Sequence, residues 1–299
     1  MSGRVEPAKA LASQFRGGPT ALRIMVGAQL RRLRESRGLS AEDAGYAIRA
    51  SQSKISRMES GRVGFKARDV ADLLTLYGVR DEDERDAILS LARQSNMPGW
   101  WHQYGDIIPG WFEAYLGLEG SASFIRIYET QLIPDLLQTE AYARTVIGLQ
   151  RPMASQAEVE SRVGMRMGRQ RMFDQSDPPR LWAVFDEAAL HRFLGHRALI
   201  REQLRHLLDV LDRPNVTLQI VPIGSPLGVL SRNPFSILRF PPPELPDIVY
   251  IEQLTNALYI DKGEDVAAYR QLLDKISMSA LSVKDSTILL HRLLTELDG

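Results

Sequence analysis

Between positions 52 and 57 stand Gln52, Ser53, Lys54, Ser56 and Arg57, the side-chain types that read base edges in a DNA major groove. Gln can bond adenine bidentately, Arg or Lys can read guanine, and Ser reaches a base or a phosphate. Around them Arg31, Ser51, Arg62, Lys66 and Arg68, with the free amides that open a helix, are suited to phosphate contacts, which position a protein on the duplex without reading its sequence. Other constellations are weaker. Glu187 and His191 could share a helix face around a water, and we read them as a surface pair or helix cap. His191 and His196 are five apart, not the four of a helical metal pair. Arg162, Arg166 and Arg169 fall on one helical face that could receive an acidic ligand or partner. Glu158, four residues before Arg162, favours an exposed helix with internal pairing instead. The chain has no Cys, which excludes disulfides, thiolate metal sites and a Cys nucleophile. No Gly-rich phosphate loop precedes a helix and no Ser lies in a nucleophile elbow. The expectation is therefore no enzyme, no catalytic residue, no metal and no cofactor.

The candidate base readers need an element to hold them outward. Leu39–Gly61 reads as two short helices joined by a tight turn, a helix-turn-helix. Ser40 with Asp43 three residues on makes a capping box for the first, running through Ala47, and Ser51 caps the second, from Gln52 to Ser60. Ile55 and Met58 would face a core with Ala44 and Ile48, leaving the polar residues outside. A helix from Leu22 with Val26, Leu30 and Leu33, stopped near Gly38, precedes the motif. A fourth helix with Val70, Leu73, Leu74 and Tyr77 and a fifth capped near Asp81 follow it, so a five-helix domain spans residues 22–96.

Residues 1–21 read as a mobile arm with a short helix around Lys9 to Phe15. Residues 97–299 are different in kind. They open with an aromatic cluster, Trp100 to Tyr115, read as packing. Helices are expected at Ser121–Glu129, Pro134–Ile147, Gln156–Phe173, Ala198–Leu211, Glu264–Ala280 and Val283–Leu297. Strands are expected at Leu181–Phe185, Val216–Val221, Phe235–Phe240 and Ile248–Glu252, with Leu258–Ile260 as a hairpin return. The fold class is mainly α: a helix-turn-helix domain followed by an α+β domain rather than a doubly wound sheet. The balanced total of 37 basic and 37 acidic residues hides an asymmetry, since residues 1–70 hold 14 Lys and Arg against 6 Asp and Glu. A basic head on an acidic body implies that the head meets the polyanion. Hydrophobic residues make up 44% and charged residues 25%, an ordinary globular balance. No spanning run and no signal peptide is read, so a cytoplasmic protein is expected.

Residues 22–95 resemble the Cro and phage-repressor type of helix-turn-helix, the xenobiotic-response-element (XRE) family. The resemblance implies an ion pair between Arg34 in the first helix and Glu59 at the end of the recognition helix. That family's turn usually has Gly at a left-handed position, where this sequence has Arg49, at a cost of about 1 kcal/mol. From Trp100 to Leu294, segments including Gly110-Trp111-Phe112, Tyr128–Pro134, Leu136–Arg144, Asp186–Leu190 and Phe235–Phe240 resemble the C-terminal domain of WhiJ-like, antitoxin-like actinomycete regulators. Such regulators are often encoded beside a small protein that binds them.

Together these features lead to the expectation of a sequence-specific transcriptional regulator, a repressor. It would bind a pseudo-palindromic operator as a homodimer and be modulated through its C-terminal domain by a small protein partner or ligand. The alternative is an antitoxin-like protein-binding module for which DNA is secondary.

Overall fold

The computed structural model describes residues 18–61, 63–192, 196–225, 233–241 and 246–298; residues 1–17 of the arm expected over residues 1–21, with its expected helix, lie outside them. The chain divides into two compact units, each taken by itself below.

The first unit contains α1 (Pro19–Ser36), α2 (Ala41–Ala47), α3 (Gln52–Glu59), α4 (Ala67–Leu76) and α5 (Glu82–Gln94). Their ends follow local chemistry. Ser40 Oγ accepts from the Asp43 amide at 3.0 Å while Asp43 Oδ2 accepts from the Ser40 amide at 2.9 Å, a reciprocal box that satisfies donors left open at a helix start. Asp81 caps α5 by accepting from the Glu84 amide at 2.8 Å. The apolar stripes meet in one core of Leu30, Ala44, Ile55, Met58, Val70, Leu74 and Ile88, with Ile48 packed against its edge. The same unit takes in residues 114–121, the later part of α6 (Gly110–Glu119), and Ser121 Oγ accepts from the Gly18 amide at 2.6 Å. In the aromatic run, Trp101 and Tyr115 are buried here while Trp100 stays exposed.

The second unit is built on a six-stranded mixed sheet of order β3-β2-β1-β4-β5-β6. The strands are β1 (Phe124–Glu129), β2 (Arg180–Asp186), β3 (Val216–Val221), β4 (Phe235–Arg239), β5 (Ile248–Glu252) and β6 (Ala257–Ile260). β1, β2 and β3 run parallel, and β4 to β6 continue antiparallel from β1. Helices α7 (Glu140–Gln150) and α8 (Gln156–Gln170) connect β1 to β2, and α9 (Ala188–His191) and α10 (Arg197–Leu211) connect β2 to β3, the long crossovers that parallel pairing needs. α11 (Gly263–Ser279) and α12 (Val283–Asp298) close the chain. The α+β class holds, with crossovers in one half of the sheet and a meander in the other.

Three local expectations change. The helix expected over Ser121–Glu129 is a strand, β1, and a central one. Ile125, Arg126, Ile127 and Tyr128 are all buried, because both faces of this strand are covered and it shows no apolar-polar alternation. The helix expected over Pro134–Ile147 breaks into a 3₁₀ turn, Asp135–Leu137, and α7, whose start is set by Thr139 Oγ1 accepting from the Tyr142 amide at 3.2 Å. The arginine stripe on α8 is not a solvated face. Arg162 pairs with Glu158 at 2.9 Å as expected, but Arg166 and Arg169 turn inward, with side chains 13% and 5% exposed. Their partner Asp135 comes from a turn that the sequence places on another element.

Strand alternation divides the sheet into two faces. Tyr128, Val184, Phe235, Val249 and Ile251 pack with Val266, Leu273 and Ile276 of α11. Arg126 shares that face, stacked 4.5 Å from the Trp182 ring and paired with Asp274. The opposite face carries Ile125, Ile127, Leu181, Ala183 and Phe185, all buried. Glu129 continues it at the carboxyl end of β1, and Glu252 ends β5 at the same edge.

Glu129 is only half-buried as a residue. Burial of its carboxyl, followed by the charges of Asp135 and Glu252, nevertheless pushes it up to about 8 against the pull of Arg166 and Arg169. The folded chain therefore holds a proton there that the unfolded chain loses at ordinary carboxylate pH. That contribution is complete below about pH 4.5 and declines as pH rises toward 8, with a limiting slope of about 1.4 kcal/mol per pH unit. Asp135, held below its ordinary value by the two guanidiniums despite its burial, acts oppositely and only in more acid solution. In urea titrations of the second unit's signal between pH 5 and 8, wild-type stability should fall with pH. Glu129→Gln should flatten that fall and be the more stable protein at pH 8.

Candidate nucleic-acid interface

α3 is only eight residues long and would not hold itself in water, so its placement is tertiary. Ile55 and Met58 are fully buried and anchor one side. The Ser51 hydroxyl accepts from the Lys54 amide at 3.2 Å and starts the helix. Its far end is tied to α1 by a bidentate ion pair: Arg34 Nε donates to Glu59 Oε1 at 2.7 Å and Nη2 to Oε2 at 2.9 Å. The remaining nitrogen, Nη1, donates to the Leu39 carbonyl at 2.6 Å, so one guanidinium holds α1, the approach to α2 and the end of α3. Both side chains are nearly buried, 11% and 7% exposed. The hydrogen bond that Arg34 donates to Glu59 holds the guanidinium more firmly protonated, and desolvation raises the nearby Tyr77 hydroxyl. At Gly27 on α1, an added Cβ would lie 2.5 Å from the Met58 carbonyl oxygen, closer than any side chain tolerates.

The turn between α2 and α3 takes a left-handed residue, Arg49 with φ +56°, although it is not glycine. The Ala50 amide closes it by donating to the Gly45 carbonyl at 2.8 Å. The left-handed backbone is thus kept without the residue that adopts it freely, and the surrounding anchors offset a local cost of about 1 kcal/mol.

With α3 held in this way, Gln52, Ser53, Ser56 and Arg57 are exposed along its outward side. Lys54 is drawn aside, its Nζ 2.5 Å from Asp69 Oδ2, so it meets an anion only by leaving that carboxylate. Of the residues expected at phosphates, Ser51, Arg31, Lys66 and Arg68 are exposed, and Arg62 lies outside the described residues. Arg31 pairs with Glu35 at 2.8 Å and Arg68 with Asp72 at 3.7 Å, both solvated pairs of small strength. Two residues missed by the sequence reading border the same surface. Tyr46 is 88% exposed at the end of α2, and Arg49 presents a cation at the turn. The helical period that buries Ala44 was enough to point Tyr46 outward.

The other constellations lie in the second unit. Glu187 Oε1 is 3.5 Å from His191 Nε2, and its other oxygen accepts from the Ile223 amide at 2.9 Å, which ties a loop down. Among the described residues no helix is long and apolar enough to cross a membrane.

Family models match the chain at two places. A helix-turn-helix domain covers residues 26–88, and a domain of unknown function, DUF5753, covers residues 112–292. No curated protein and no solved structure gives a match. The first match points to a DNA-binding regulator.

Two measurements test the anchoring. Arg34→Met should cost about 3–5 kcal/mol of stability in urea by leaving Glu59 buried and unpaired, and the double variant Arg34→Met/Glu59→Leu should recover most of that. Arg49→Gly should stabilise the fold by about 1 kcal/mol, read as a higher urea midpoint, because it relieves the strained backbone.

Proposed function

From the premise that the chain belongs to the DUF5753 family and carries a helix-turn-helix domain ahead of that region, we propose that it is a sequence-specific transcriptional repressor. It acts in the cytoplasm on the nucleoid, in the manner of XRE-type and WhiJ-like, antitoxin-like regulators, and has no catalytic role. The observation that carries the reading is the division of α3 into two sides. Ile55, Met58 and the Arg34–Glu59 pair hold one side, while Gln52, Ser53, Ser56 and Arg57 are exposed on the other, with only Arg57 Nε engaged, donating to the Ser53 carbonyl at 3.3 Å. Gln52 and Arg57 read base edges, Ser53 and Ser56 support them, and Lys54 joins by exchanging Asp69 for DNA. Ser51, Arg31, Lys66 and Arg68, with Tyr46 and Arg49 added, position the helix on phosphates. A helix this short covers few base pairs, so a homodimer on a pseudo-palindromic operator supplies the remaining affinity and discrimination. The DUF5753 region takes the regulatory role and receives a small protein partner or a ligand.

Fluorescence anisotropy on tiled duplexes from the region upstream of the protein's own gene, with competitor DNA at near-physiological salt, tests this. One tile should bind tightly, and Gln52→Ala/Arg57→Ala should weaken it by tenfold or more without changing stability. Lys66→Ala should lower affinity for all tiles alike and reduce the salt slope by about one. Equal weak binding to every tile, insensitive to these changes, would remove the reading and leave the antitoxin-like binding module in its place.

A further inference from the structure

The inward arginines of α8 border a cleft of about 130 Å³ in the second unit, at the edge where β1 and β5 end. Its charged groups are shared unevenly. Asp135 alone is shared by two guanidiniums: Arg169 Nη1 donates to Oδ2 at 2.8 Å, and Arg166 Nη1 is 3.3 Å from Oδ1. Arg166 Nη1 also donates to the Gln138 side-chain oxygen at 2.8 Å, and its Nε is buried with no hydrogen-bond partner. Arg162, also on the wall, is matched by Glu158. Arg151 and Glu252 also line it, and the Glu252 carboxyl, raised above its ordinary value by burial, accepts from the Tyr250 hydroxyl at 2.9 Å. Glu129, next to the cluster, holds its proton at neutral pH and adds little negative charge. Two guanidiniums thus converge on one carboxylate, with one guanidinium nitrogen unsatisfied, in a partly desolvated place where an unmet polar group is costly.

Part of the wall is apolar, beside Gln150 and the charged groups. Ile108, Trp111, Phe112 and Met165 line it, and the Arg169 guanidinium lies 5.7 Å from the Phe112 ring. A cavity of about 150 Å³ holds a benzene ring, so this one takes a body of about that size. An apolar patch beside convergent polar groups can seat and orient a small molecule, and guanidinium is the group best matched to carboxylate or phosphate oxygens.

We propose that this cleft binds a small amphipathic anion, a carboxylate or phosphate carried on a single ring or a branched chain of that size. The anion lies against Arg166 and Arg162 and the apolar body against Trp111, Phe112 and Met165. The assignment deepens the regulatory part of the preceding reading by naming a ligand class, and it is tested without DNA.

Isothermal titration of the full-length chain uses benzoate, phenyl phosphate, inorganic phosphate, benzyl alcohol and benzylamine as probes. Benzoate or phenyl phosphate should bind saturably, with the tighter of the two identifying the anionic group. Benzyl alcohol, benzylamine and inorganic phosphate should each be at least tenfold weaker. Arg166→Gln should weaken the anion tenfold or more, with Arg166→Lys recovering part of the loss. Should Arg166→Gln not fold, Arg162→Gln, outside the Asp135 cluster, should still weaken binding severalfold. The proposal is overturned if neither aryl anion binds, if binding is the same in the folded variants, or if the neutral, cationic or ringless probe binds as well as the aryl anions. Failure here with one DNA tile still bound tightly would remove the ligand site and leave the DNA-binding reading standing.

Discussion

The bidentate contact between Arg34 and Glu59 is the constraint on which the first unit's surface depends. A buried ion pair adds little net stability, because desolvation of both charges offsets their attraction. Its effect is geometric. The guanidinium fork admits one orientation of the carboxylate, and its third contact, to the Leu39 carbonyl, makes that orientation common to three segments of chain. Gly27 completes the constraint by letting α1 touch the backbone at the end of α3. Between a charge fork and a backbone contact, α3 has no freedom to slide or roll, and the strained turn at Arg49 persists because both ends around it are already held.

The second unit applies the same chemistry less completely. Asp135 receives two guanidiniums where Glu59 receives one. In the first unit every nitrogen of Arg34 has a named acceptor; in the second, Arg166 Nε has none. A fully satisfied buried charge network rigidifies, while an unsatisfied atom within one is costly. That contrast motivates the ligand site proposed above.

Much of the first unit was legible because its signals are local. Ser40 with Asp43, Ser51, Asp81 and the 3.6-residue spacing of Ile55 and Met58 each declare a helix end or face within a few residues. Strand β1 was not legible, since burial on both faces erased the alternation that marks a strand. The α8 arginines misled for a related reason. Spacing told correctly that they share a face and that Glu158 pairs with Arg162, but whether that face meets water depends on Asp135 and Phe112, brought to it only by the fold. Tyr46 is within reach of the helical period, since the spacing that buries Ala44 turns it outward. Lys54 shows the opposite limit, since its pairing with Asp69 crosses from α3 to α4 and no local rule announces it.

The separation of α3 into a held side and a free side also bears on how such a chain changes over generations. Positions 52, 53, 56 and 57 make no core contact, so substitutions there are nearly neutral for folding while altering what the surface recognises. Positions 55, 58 and 59 have no such latitude. Gene duplicates of this protein can therefore diverge in target without passing through unstable intermediates, with variation concentrated at four sites on a scaffold that resists drift.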